Sequence, residues 1–171
     1  IMLSPQQKKM HRVVYNVFQQ YTRSGLFNSM WLFSNEQISN MIPTITMDNM
    51  WDKVNEAIAN AMENVIYHRG QKPFIGSHHT QREISRIMTI EYGNLENNEE
   101  KLYFSLDNIT ESCYINIISE KEMKENKDLL NTLKKKVIDD IEEKITSSFT
   151  VFKSEYDQSF YYAIHFTHFL Q

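Results

Sequence analysis

The stretch SEKEMKENKDLLNTLKKKVIDDIEEKIT, residues 119–146, predicts a helix of about seven turns. Its apolar residues recur at steps of three and four, the spacing of an amphipathic helix with one apolar stripe. They are Leu130, Leu133, Val137, Ile141 and Ile145. Ser119 followed by Glu122 is a capping-box pattern for its start, and a later start near Asn126 also fits. The charged residues between them indicate a solvated face rather than a binding surface.

Strand-like segments lie on both sides of this helix. Before it come RIMTIEY (86–92), KLYFSLD (101–107) and SCYINII (112–118), and after it come SFTVFKS (148–154) and SFYYAIHFTHF (159–169). The last two are separated by EYDQ, which predicts a hairpin, and the last strand is apolar on both faces, as a central strand is. The sequence therefore predicts an α+β fold whose antiparallel sheet has the order β-β-β-α-β-β.

The N-terminal part of the chain predicts helices. Ser4-Pro5 is a favoured helix start, and a buried stripe is expected at Met10, Val13, Val14, Val17 and Tyr21. Short helices are expected over residues 26–43 and a long one over residues 48–68. We expect residues 1–70 to form a helical half that packs on the sheet of residues 80–171, with its one long helix, in one cooperative domain.

Composition limits the classes of protein to which this chain can belong. With 171 residues and 41% hydrophobic residues the chain can bury a full core. A net charge of -4 gives no electrostatic reason to expect nucleic acid as a partner. The single cysteine, Cys113, is expected to be buried, and no stretch is long and apolar enough for a transmembrane helix. The start Ile1-Met2 fits either one tag-derived residue or a domain cut from a longer protein, so localisation stays open.

Chemical motifs are scarce. Four scattered glycines supply no phosphate-binding loop or dinucleotide fingerprint, and there is no G-x-S-x-G nucleophile motif. The best local candidate for a metal or catalytic site is His78 and His79 with Glu83, but adjacent histidines point apart. The sequence therefore predicts that the protein binds no cofactor and no metal and that it is not an enzyme.

An apolar segment is the candidate partner-binding site. Leu26, Phe27, Met30, Trp31 and Phe33 place more apolar surface in eight residues than a connecting segment ordinarily needs. Aromatic residues and methionine are enriched at protein interfaces. These five residues either fill a corner between helices or bind a protein partner, including a second copy of the chain.

The order of elements in the second half resembles that of type III secretion chaperones, although this chain has about 80 more residues in front and no closing helix. The richness in Asn, Ile and Lys is typical of AT-rich bacterial, phage or viral genomes. Because no motif for catalysis, metal or nucleotide binding is found, the sequence predicts by elimination a non-catalytic binding or interaction module, such as an accessory, regulatory or chaperone-like factor. The alternative is a small enzyme whose site is assembled from distant residues including His78, His79 and Glu83.

Overall fold

The computed structural model describes residues 4–80, 82–95 and 99–171. Its helices are α1 (Pro5–Arg23), α2 (Asn35–Met41), α3 (Met50–Arg69), α4 (Glu120–Glu125) and α5 (Leu129–Glu142). Its strands are β1 (Met30–Trp31), β2 (Ile75–Gly76), β3 (Ile87–Asn94), β4 (Glu99–Leu102), β5 (Glu111–Ser119), β6 (Thr146–Ser154) and β7 (Phe160–Thr167). Residues 1–3, which include the unusual start, lie outside the described part.

Helix starts follow their capping residues. The Ser4 side chain accepts a hydrogen bond from the backbone N–H of Gln7, and the Gln7 side chain accepts one from the Ser4 N–H. Ser34 and Ser119 accept from the third residue of α2 and α4 in the same way. These caps confirm the predicted starts. The long helix predicted after Ser119 is divided at Asn126, where the backbone is extended, into α4 and α5.

The strands that the structure describes form one mixed sheet of order β1-β3-β7-β5-β6-β2, with β4 paired to β3. β7 lies between β3 and β5 and is antiparallel to both. β5 and β6 are parallel through nine residue pairs, from Glu111 with Thr146 to Ser119 with Ser154. β1 also runs parallel to β3.

The predicted antiparallel sheet with β-β-β-α-β-β order is therefore wrong. α4 and α5 form a crossover that returns the chain to the same end of the sheet, so β6 joins β5 in parallel. The hairpin predicted at residues 155–158 is also wrong. β7 inserts between β3 and β5 and does not pair with β6. The N-terminal half also contributes β1 to the sheet, and the segment that follows it contributes β2.

Two layers of helix cover the sheet. On one face α2 and α3 pack on the main core, where Val54 and Val65 of α3 have no exposed surface. On the other face α4 and α5 pack over Tyr114, Tyr161 and Ile118. Every residue of β5 is buried, as expected for a strand covered on both faces. Cys113 is buried in this strand, as predicted.

No helix in the described ranges has the length and apolar character that crossing a bilayer requires.

Candidate functional site

The helix α1 turns its apolar side to solvent. Its large apolar residues are 42–62% exposed: Met10, Val13, Val14, Val17, Phe18 and Tyr21. The two fully buried residues of the helix are polar, Gln19 and Thr22. The prediction that the stripe of α1 is buried is therefore wrong: the spacing of the stripe is helical, but about half of its side-chain surface remains exposed.

Polar contacts hold α1 on the body of the molecule. The Gln19 side chain donates to the backbone carbonyl of Gln171 at 3.1 Å and accepts from its N–H at 2.6 Å. Gln171 in turn exchanges hydrogen bonds with the backbone of Asp107. The pKa of Tyr15 is raised to about 12 by burial of its hydroxyl, which has no hydrogen-bond partner among the described residues. α1 is thus anchored by one polar side near its C-terminal end.

The turn after α1 continues the apolar surface. Gly25 has a φ of 83°, which a glycine adopts without strain, and it turns the chain back toward the helix. Phe27 then lies 6.2 Å from Phe18 and 6.1 Å from Tyr21 between ring centroids. We call the surface formed by the six apolar residues of α1 together with Leu26 and Phe27 the α1 surface.

The five residues of the predicted partner site divide between surface and core. Leu26 is 66% exposed and Phe27 38% exposed, so both belong to the α1 surface. Met30 and Trp31 form β1, and Trp31 and Phe33 pack against the main core. The short helix expected over residues 26–33 is absent, because Met30 and Trp31 pair with Ile87 and Met88.

The histidines of the predicted chemical site point in different directions. His78 Nε2 lies 2.6 Å from the carbonyl oxygen of Gln71, whereas His79 Nε2 lies 2.8 Å from Glu111 Oε2. Glu83 is exposed on the turn before β3. Among the described residues no three His, Cys, Asp or Glu side chains gather as metal ligands. The structure does not bring His78, His79 and Glu83 together.

Glu111 is the centre of one buried polar cluster. Its carboxylate has no exposed surface and accepts from the Ser85 hydroxyl and, at 3.4 Å, from the backbone N–H of Arg82. The Arg82 guanidinium lies 3.7 Å away and also donates to Thr146. Because these partners satisfy the buried carboxylate, the cluster fixes His79, Arg82 and Ser85 against the start of β5. The signal in the sequence was an acidic residue that begins an apolar strand.

A second cluster lies beneath α5. His165 joins Ser112, whose Oγ is 2.9 Å from Nδ1, to Glu91, whose Oε2 is 3.4 Å from Nε2. Tyr161 donates to Glu91 at 2.6 Å, and Lys136 of α5 donates to the Tyr161 hydroxyl. Serine, histidine and glutamate can act as nucleophile, base and the group that orients the base, but Ser112 is only 1% exposed, so its hydroxyl is closed off from solvent. The cluster therefore ties β3, β5 and β7 to α5.

The charges of this second cluster follow from its surroundings. Burial opposes ionisation of Glu91 and is the largest effect, but His165, Tyr161 and Lys136 together outweigh it and lower its pKa. Burial first, and then the Glu91 charge, raise the pKa of Tyr161. Burial and Asp140 raise the pKa of Tyr114 in the same manner. An ionised Glu91 beside neutral tyrosine hydroxyls is the stable state.

No protein-family profile matches the sequence, and no curated protein matches it. Solved structures do match its fold. A GTPγS-form protofilament of TubZ from Bacillus thuringiensis serovar israelensis has a TM-score of 0.65 and 12% identity. The match covers 100% of this chain and 51% of the TubZ chain.

FtsZ from M. jannaschii matches as well. An empty FtsZ dimer has a TM-score of 0.56 and 10% identity, covering 82% of this chain and 45% of FtsZ. A W319Y mutant of the same protein gives a TM-score of 0.55 and 12% identity, with 82% and 46% covered. This chain spans about half the length of the structures it matches.

These likenesses overturn the functional prediction. The prediction of a non-catalytic accessory or chaperone-like module rested on the absence of local motifs. The resemblance to type III secretion chaperones rested on the order of elements. The mixed sheet instead matches part of proteins solved as a dimer and as a GTPγS-form protofilament, so the inference that the chain belongs to no enzyme also fails. What the comparisons show is the fold: this chain has the fold of about half of TubZ and of FtsZ.

Proposed function

We propose that this chain is part of a protein that self-associates head to tail into a protofilament in a nucleotide-dependent manner. The observation that carries the proposal is the match of the whole chain to TubZ in a GTPγS-form protofilament. A heterologous head-to-tail contact that does not close into a ring generates an open filament. Self-association also agrees with the structure of FtsZ, which was solved as a dimer.

Within this protein, residues 1–171 contribute assembly and packing surfaces rather than the phosphate-binding loop. The glycines stand at positions 25, 70, 76 and 93, too far apart for a loop whose backbone cradles phosphates. The chain corresponds to about half of TubZ. We therefore assign nucleotide binding to a second folded unit that packs on this one.

The α1 surface is the site proposed for that unit. Large apolar side chains at three- and four-residue spacing are exposed along α1 while its polar residues Gln19 and Thr22 are buried. A large contiguous apolar patch exposed on a soluble protein usually marks an interaction site. Four Lys and Arg residues and no Asp or Glu lie along α1, so the partner surface is expected to be apolar with an acidic rim.

Leu26 and Phe27 extend this contact beyond the helix. Met30, Trp31 and Phe33 support it from β1 and the main core, since Trp31 and Phe33 pack on that core. Leu26 and Phe27 thus contact the partner directly, and Met30, Trp31 and Phe33 act in partner binding only through the strand and core that they form.

Sedimentation and electron microscopy of the protein that carries this chain test the proposal. With GTPγS the protein is expected to pellet as filaments above a critical concentration, and without nucleotide it is expected to remain in the supernatant. A protein that stays monomeric with GTPγS at about 100 μM, far above a micromolar affinity, would overturn the proposal.

A matched pair of variants tests the α1 surface. Val14→Asp with Val17→Asp places two charges on the exposed stripe and is expected to abolish filaments while the melting temperature of residues 1–171 stays unchanged. Asn16→Asp is the control, since Asn16 is exposed on α1 but lies off the stripe. Equal assembly by both variants would exclude the α1 surface as a contact.

A further inference from the structure

An aromatic groove opens where β6 turns toward β7, at the opposite end of β3 from the α1 surface. It is a cavity of about 540 Å³ lined by Asn64, Tyr92, Tyr156, Asp157, Gln158, Phe160 and Tyr162. A second cavity of about 540 Å³ adjoins it and shares Asn64 and Tyr156. These volumes fall within the range of small-molecule sites, about 300–1,000 Å³.

One wall of the groove is continuous aromatic surface. The ring centroids of Tyr92, Phe160 and Tyr162 lie between 5.5 and 6.1 Å from one another. Tyr156, on the turn after β6, is 6.2 Å from Phe160 and 67% exposed. The ring of Tyr156 therefore offers surface to a planar ligand at the mouth of the groove.

The ionisable groups of the groove give it a negative field. Within the described chain, the carboxylates of Glu63, Glu155 and Asp157 have no ion-pair partner, and all three line the two cavities. Lys153 also lines the adjoining cavity, but its ammonium group pairs with Glu120 at 2.7 Å. A cation is favoured here and an anion is disfavoured.

We propose that this groove binds a small planar aromatic cation. The faces of tyrosine rings attract a cation through the ring quadrupole, and the attraction strengthens when the site is partly desolvated. The ligand stacks on Tyr156 and the aromatic wall with its positive charge toward Asp157. The side-chain amides of Asn64 and Gln158 supply hydrogen-bond partners for its ring substituents. The groove shares no residue with the α1 surface, so its ligand binding can be tested apart from the proposed assembly.

Fluorescence titration of residues 1–171 with proflavine, a three-ring planar cation, tests the site. We expect saturable binding of one proflavine per chain, and about tenfold weaker binding in Tyr156→Ala and in Asp157→Asn, because each variant removes one source of attraction. Tyr156→Phe keeps the ring and is expected to bind as the unchanged protein does. Phe74→Ala is the matched control, since Phe74 is also an exposed aromatic residue, at 66%, but lines neither of the two cavities.

Fluorescein, a planar anion of similar ring number, separates charge recognition from simple stacking. It is expected to bind at least about tenfold more weakly than proflavine to the unchanged protein. Equal affinity for the two dyes would overturn the proposal, as would proflavine binding that Tyr156→Ala and Asp157→Asn leave unaltered. Absence of proflavine binding up to about 1 mM would overturn it too.

Discussion

At the scale of single residues, Gly93 shows how one side chain shapes the sheet. A Cβ at this position of β3 would overlap the ring of Tyr161 on β7. That ring is 2% exposed, and its hydroxyl is held by Glu91, so it has little room to move. The absence of a side chain at Gly93 is therefore what lets Tyr161 reach its partners.

Gly93→Ala is predicted to lower the free energy of unfolding by about 1–3 kcal/mol, the usual cost of overpacking a core. Urea unfolding at pH 7 measures it. Gly70→Ala is the control, because a Cβ there meets nothing closer than 3.4 Å and φ is -84°. Equal stability of the two variants would show that Tyr161 moves aside freely.

Glu91 predicts a pH dependence of stability. Its pKa is lowered in the folded protein by the His165, Tyr161 and Lys136 contacts that outweigh its burial. A carboxyl whose folded pKa lies below its unfolded value stabilises the protein above the unfolded pKa, and the stabilisation is lost as the pH falls through the folded pKa. At neutral pH, Glu91→Gln is therefore expected to be about 1.5–3 kcal/mol less stable than the unchanged protein.

The measurement is the urea midpoint of both proteins between pH 7 and pH 3. The difference is expected to shrink toward zero at the acid end, where Glu91 of the unchanged protein becomes protonated. Glu83→Gln, at an exposed carboxyl, is expected to differ from the unchanged protein by the same small amount at every pH. A difference for Glu91→Gln that stays constant with pH would contradict the ionised pair.

At the scale of elements, features that depend on nearby residues were predictable from the sequence, and features that depend on tertiary packing were not. The starts of α1, α2 and α4 were predictable, since a capping serine acts through the backbone N–H groups two or three residues away. The central position of β7 was also predictable, because a strand apolar on both faces must be covered twice. Both depend on residues near in sequence or on burial alone.

Pairing direction was not predictable in the same way. A helix between two strands is compatible with either direction, and only the return of the chain through α4 and α5 makes β5 and β6 parallel. The complete burial of β5 was the available hint, since parallel strands are buried on both faces. The exposure of the α1 stripe could not be predicted either, because helical spacing shows that an apolar stripe exists and not what covers it.

The candidate sites differ in the same way, since some depend on local sequence and others on contacts between distant residues. Leu26 and Phe27 were found from apolar density alone, which is a local property. The Glu111 cluster and the aromatic groove join residues 26 to 98 positions apart in the chain, such as Ser85 with Glu111 and Asn64 with Tyr162. Such contacts follow from the order of strands in the sheet, so no motif search along the sequence reaches them.

At the scale of the whole molecule, the contacts between the two halves predict one cooperative folding unit. β1 of residues 1–70 pairs with β3, and α2 and α3 cover one face of the sheet with side chains such as Ile38, Val54 and Val65. Residues 80–171 alone would expose that face, together with much of the core of the protein. An exposed apolar sheet face and an unpaired edge promote aggregation.

Two spectroscopic probes test this in the intact chain. Both tryptophans, Trp31 and Trp51, lie in the N-terminal half, whereas far-ultraviolet circular dichroism also reports the strands of residues 80–171. Because the halves share one core, urea transitions followed by tryptophan fluorescence and by circular dichroism are expected to coincide. The isolated fragment 80–171 is expected to aggregate. Separate transitions, or a soluble fragment with a well-dispersed NMR spectrum, would show that the sheet folds without α3 and that the two halves are independent domains.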